Sequence, residues 1–128
     1  MSTASGYENF QLLLADLDKK KRIVVLFTGN KNLSTGKSWC PDCVVAEPVV
    51  NEVKALPEVA ALDVEFVTVF VGNPEVWRDP TNGFRTDPNL KLTRIPTLLE
   101  YGNKAKRLQE AQVSNKFLVK EFFTDKED

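Results

Sequence analysis

Cys40 and Cys43 are the two cysteines of this 128-residue chain, and only Pro41-Asp42 separates them. Two thiols at this spacing can exchange disulfides if one of them is a thiolate at neutral pH. A thiolate is favoured where a helix begins, because unpaired N–H groups and the positive end of the helix dipole meet it there. Pro41 suits the first helical position, where its missing N–H costs nothing. The pattern therefore predicts a helix that opens at Pro41, with Cys40 at its mouth as nucleophile. Cys43, nearly one turn on, lies beside Cys40 as the resolving thiol. Asp42 favours the helix start, but its charge repels a thiolate and raises the Cys40 pKa. Zinc, a structural disulfide and two inert buried thiols are the competing readings. Two thiolates supply half a zinc site, and the chain has no histidine to complete it. A bridge across two residues closes too small a loop to constrain much.

The surrounding composition narrows the field. With 17 Lys+Arg against 18 Asp+Glu, the net charge is -1, which leaves no basic excess for nucleic acid. The lack of histidine removes Ser-His-Asp and Cys-His catalysis. No apolar run approaches the ~20 residues that span a bilayer. The two ends carry no targeting or lipidation pattern, so a cytoplasmic protein is expected, with 1–128 as a single domain.

The elements that must position the cysteines follow from periodicity. Phe10, Leu13, Leu14 and Leu17 are spaced for a helix over 7–19, which Lys19-Lys20-Lys21-Arg22 closes. Ile23 to Phe27 reads as a strand buried on both faces, and Val64 to Val71 as a second. Thr28 to Ser38 is a polar loop. The Pro41 helix runs to about Leu56 with Pro48 inside it, where a kink is expected. Residues 72–94 are turn-rich, with helical turns expected at 75–78 and 89–92. Residues 96–101 and 104–108 read as a hairpin turning at Gly102-Asn103, and Ser114 as the cap of a last helix. A β-α-β unit followed by a hairpin and a helix predicts one mixed α/β sheet covered on both faces. Downstream of a Cys-x-x-Cys, Ile95-Pro96 is expected to be cis, so that the Ile95 backbone can pair with an incoming peptide beside Cys40.

Three ordered blocks together resemble the thioredoxin superfamily, and most of all its 14-kDa thioredoxin-related (thioredoxin domain-containing protein 17) family. They are Lys37-Ser38-Trp39-Cys40-Pro41-Asp42-Cys43 with Ala46-Glu47-Pro48-Val49-Val50, then Val71-Gly72 with Trp77-Arg78-Asp79, Asn82 and Phe84-Arg85, then Ile95-Pro96-Thr97-Leu98-Leu99. The resemblance implies a thioredoxin fold, a cytosolic disulfide reductase, Cys40 as nucleophile, Cys43 as resolving thiol and Pro96 as the cis proline. It also implies recharging by NADPH-dependent thioredoxin reductase, with no bound cofactor or metal. The implied substrates are cystine and a restricted set of protein disulfides, together with nitrosothiols and persulfides. A monomer is expected, with Trp39, Ile95 and Pro96 meeting substrate and Pro41 and Asp42 tuning the thiols. Trp77 reads as a core anchor in preference to a substrate contact, and Glu47 as a solvated helix charge. Two departures from ordinary thioredoxin stand out. The strand carboxylate that serves the resolving cysteine falls near Leu26, and the loop 28–38 is longer and could obstruct large partners. A redox-inactive adaptor on the same scaffold is the alternative function.

Overall fold

The computed structural model describes residues 2–125; the rest of both termini, read above for targeting patterns, lies outside them. The central element is β2 (Arg22–Thr28), whose Val24, Val25 and Phe27 are fully buried, as a continuous β-branched and aromatic run requires. It pairs in parallel with β3 (Val64–Phe70) on one side and antiparallel with β4 (Thr97–Glu100) on the other. β4 turns back into β5 (Asn103–Gln109), an edge strand protected by Lys104, Lys106 and Arg107. A strand that the periodicity does not announce, β1 (Ser2–Ser5), adds in parallel to the far side of β3. The sheet order is therefore β1-β3-β2-β4-β5.

Helices cover both faces. Helix α1 (Tyr7–Asp16) and the segment from Trp77 to Leu92 pack on the face of Val25, Phe27, Val67 and Leu99. There Phe10 meets Phe27 and Tyr101 edge-on. Helices α2 (Pro41–Lys54) and α6 (Lys116–Thr124) pack on the opposite face, around Val24, Leu26 and Leu98. Short helices α3 (Pro57–Ala60), α4 (Pro74–Arg78) and α5 (Gly83–Thr86) fill the connections, and a 3₁₀ turn, Glu110–Ser114, leads into α6. This is the mixed α/β sheet of the expected class.

Several boundaries differ from the periodic reading. Helix α1 stops at Asp16, and Leu17 is extended. The basic run still serves that end, since Lys19 Nζ donates to the Leu14 carbonyl at 2.7 Å. Helix α2 passes through Pro48 without interruption and ends at Lys54. The hairpin turns at Tyr101-Gly102, with Gly102 at φ 93°, and Asn103 already belongs to β5. Asn115, not Ser114, caps α6, its side chain accepting from Leu118 N–H at 3.1 Å. The second helical turn of the 72–94 segment falls at 83–86 because Asn82 caps it. The expected turn at 89–92 is not helical: residues 88–90 form a turn, and Lys91 after it has φ 48°.

Candidate active site

The helix start predicted from Pro41 is where α2 begins, and Cys40 is its N-cap. The cap acceptor is sulfur. The Cys43 backbone N–H donates to Cys40 Sγ at 3.2 Å, in the place a serine or aspartate oxygen usually takes. The nucleophile of the sequence reading is thus the group that satisfies an orphan donor of the helix, and it gains most from being charged. Across the site, the Ile95–Pro96 peptide is cis, and the Ile95 carbonyl lies 3.9 Å from Cys40 Sγ. Both cysteines are free thiols, Cys40 6% and Cys43 1% exposed.

Their protonation is split. The Cys40 thiol is lowered from its ordinary value to about 7, chiefly by the hydrogen bond from the Cys43 thiol, with backbone N–H donors adding to it. Burial and the Asp42 charge oppose this, while the Asp42 backbone N–H favours the thiolate. Cys43 is pushed upward, first by donating to Cys40 and then by its own burial. One sulfur is ready to attack while the other holds its proton.

Four residues outside the Cys-x-x-Cys complete the frame. Gly29 N–H, at the end of β2, points to Cys43 Sγ at 3.5 Å. The Thr28 hydroxyl favours the Cys43 thiolate; it is buried and has no other partner among the described residues. Ser38 Oγ donates to the Gly29 carbonyl at 2.9 Å and accepts from Cys40 N–H at 3.2 Å. Trp39 Nε1 donates to the Gly72 carbonyl at 2.9 Å, which fixes the indole beside the thiol. A side chain at Gly29 would displace its neighbours, because a Cβ would stand 2.8 Å from Ser38 Oγ and 2.9 Å from the Trp39 ring. Motif reading missed Thr28 and Gly29. A glycine directly after a buried strand and ahead of the cysteines was the available signal.

A cleft of about 530 Å³ opens over Cys40 and is lined by Trp39, Pro41, Trp77 and Ile95, with arginines around them. Trp77 is 6% exposed and belongs to the core, yet one edge forms part of this cleft. Leu26 packs among Ala46 and Val50 on the other face, so no carboxylate serves Cys43 from that position. The loop after β2 is braced on itself. Asn32 Oδ1 accepts from Ser34 N–H, Gly36 N–H returns to the Asn32 carbonyl, and Lys31 bridges to Glu47 at 2.6 Å. Glu47 is therefore committed to the loop. No residue of 28–38 lines the cleft over Cys40. Among the described residues no three His, Cys, Asp or Glu gather as metal ligands, and no helix is long and apolar enough to cross a membrane.

A helix capped by the first sulfur of a Cys-x-x-Cys, facing a cis proline on this sheet order, defines a thioredoxin-fold dithiol centre. Residues 3–125 match the family described as "Thioredoxin domain-containing protein 17-like, thioredoxin domain". The chain is 42% identical to thioredoxin domain-containing protein 17 of Homo sapiens, over 96% of this chain and 94% of the human one. It is 43% identical to the Danio rerio protein of that name, over 94% and 91%. It is 35% identical to thioredoxin-like protein Clot of Arabidopsis thaliana, over 87% and 83%. The chain belongs to the thioredoxin domain-containing protein 17-like family.

Proposed function

We propose that the protein is a disulfide reductase. The reading is carried by the split between the two sulfurs: Cys40 held near neutrality at about 7, and Cys43 protonated and hydrogen-bonded to it. Cys40 thiolate attacks one substrate sulfur. The substrate S–S bond breaks, its other sulfur leaves as a thiolate, and a mixed disulfide joins Cys40 to the substrate. Cys43 then gives up its proton and attacks Cys40 Sγ. The second substrate thiol departs, and the protein keeps a Cys40–Cys43 bridge. Two electrons have passed from the dithiol to the substrate. Trp39, Pro41, Ile95 and Pro96 form the surface against which the substrate lies, while Asp42 restrains the thiolate.

The direction requires a reducing compartment, consistent with a cytoplasmic protein. Thioredoxin reductase, drawing on NADPH, regenerates the dithiol, and no cofactor binds this chain. Substrates are cystine and a restricted set of protein disulfides, taken one at a time by a monomer. A coupled assay of NADPH oxidation with thioredoxin reductase, comparing cystine with insulin, tests this. Turnover of cystine with little on insulin is expected. The Cys40→Ser variant should be inactive, and Cys43→Ser should accumulate a covalent adduct with substrate. An adaptor would keep its cellular effect in Cys40→Ser, and a chain without turnover or adduct would refute the reductase reading.

A further inference from the structure

The cleft over Cys40 carries more charge than thiol chemistry needs. Arg78, Arg85 and Arg94 line it with a single carboxylate, that of Glu110. None of the three arginines is among the groups that set the Cys40 pKa. Their engagements differ. Arg85 is half-buried, donates from Nε to the Trp77 carbonyl at 2.8 Å, and lies 4.0 Å over the Trp77 ring. Arg94 is exposed and pairs with Glu110 at 2.7 Å across the rim. Arg78 is exposed and has no ion pair or side-chain hydrogen bond among the described residues.

A guanidinium presents a planar fork that matches a carboxylate. The cleft floor is aromatic and aliphatic, its volume fits a small ligand, and its rim is positive. We propose that this cleft selects disulfides carrying carboxylates close to the sulfur, with Arg78 and Arg94 as specificity-determining residues and Arg85 holding Trp77 as the floor. The proposal rests on the reductase reading and names the substrate chemistry of that site. The carbon skeleton covers Trp77 and Ile95, the sulfur meets Cys40, and the carboxylate meets Arg78 or displaces Glu110 from Arg94. A cationic disulfide meets the like charges of Arg78 and Arg85 on the same path.

Single-turnover rates of the pre-reduced protein test this without any regenerating enzyme. The probes are 3,3'-dithiodipropionate, neutral 2-hydroxyethyl disulfide and cationic cystamine. Each rate is normalised to that of the same disulfide with 2-mercaptoethanol, which removes intrinsic reactivity. The order anion, neutral, cation is expected at low salt, with the spread largely lost in about 0.5 M salt, where exposed charges are screened. Arg78→Gln and Arg94→Gln should each lower the ratio of the anion rate to the neutral rate by about threefold, as exposed ion pairs allow. Glu110→Gln should raise the anion rate by freeing Arg94. Peptide disulfides flanked by Glu or by Lys form a second arm. A Glu preference extends the selection to protein substrates, and its absence there confines it to small molecules. Equal normalised rates for all three small disulfides, or an anion preference indifferent to both arginine variants, would overturn the proposal. Loss of reaction with every disulfide would instead sink the reductase reading, and this one with it.

Discussion

Replacing Asp42 by asparagine removes one charge and keeps the shape of the α2 start. Asp42 is exposed, lies two residues from Cys40, and raises the Cys40 pKa through its charge. An exposed charge pair is worth about 0.2–1 kcal/mol, and a pH unit corresponds to about 1.4, so the Cys40 pKa should fall by about half a pH unit from its value near 7. The rate does not simply rise with the thiolate fraction, because a less basic thiolate is a weaker nucleophile. With a Brønsted slope of about 0.45, a half-unit fall weakens the thiolate by about 40%. At about pH 6 the variant should react with a neutral disulfide about one and a half times faster than the parent, and at about pH 9 about 40% slower. The two pH profiles therefore cross near neutrality, where the rates are nearly equal. Thiolate ultraviolet absorbance gives the pKa, and stopped-flow reaction with 2-hydroxyethyl disulfide gives the profiles. An unchanged or raised pKa, or two profiles that stay parallel, would refute the reasoning. Either result would mean that Asp42 serves the helix alone.

Gly29→Ala should cost about 1–3 kcal/mol in urea unfolding, because the added methyl meets Ser38 and the Trp39 ring at under 3 Å. The same variant should slow the attack of Cys40, since Ser38 and Trp39 frame that thiol. Arg22→Ala should destabilise by about 3 kcal/mol, because it leaves the buried Glu100 carboxylate with Lys106 alone and two α6 carbonyls, of Phe122 and Phe123, without their donor. The reduced protein should gain about 1 kcal/mol as pH rises from about 6 to 8.5, where Cys40 is ionised in the folded state but still protonated in the unfolded chain. That gain is lost as pH falls through 7, and it reverses at higher pH, where Cys43 ionises only when unfolded. Chemical denaturation across pH reads both limbs, and Cys40→Ser should abolish the rise.

The central part of the fold was legible because burial is written in residue type. Ile23 to Phe27 has no polar position, so it could only be an inner strand. Phe10 and Leu14 announce the α1 face equally well, whereas in α6 the spacing of Phe117, Leu118, Glu121 and Phe122 announces the helix but not its buried face, since Phe122 is buried and Phe117 is exposed. What escaped detection is held by backbone. Strand β1 is Ser-Thr-Ala-Ser, with no apolar alternation, and it is ordered by its ladder to β3. The cap of α6 moved by one residue because Ser114 and Asn115 are both good caps. The choice depends on where the 3₁₀ turn ends, and that turn is set by Gln109 and Gln112 bonding each other's backbone.

The site divides along the same line. The cysteines, Pro41 and the cis proline were readable, since each is a residue type with few other uses at that spacing. The groups that serve Cys43 were not, because their contribution is a backbone N–H from Gly29 and a single hydroxyl from Thr28. The arginines were visible as letters but lie at 78, 85 and 94, on three separate segments, and only the folded chain brings them to one rim. This separation has a chemical consequence. The charge of Cys40 is set by the helix start and by Cys43, both within one turn of chain, whereas substrate charge is met by residues far along the sequence. Substitutions on the rim can therefore change which disulfide is accepted while leaving the thiol pKa in place. An arginine variant that altered both together would show that the two functions are not separable.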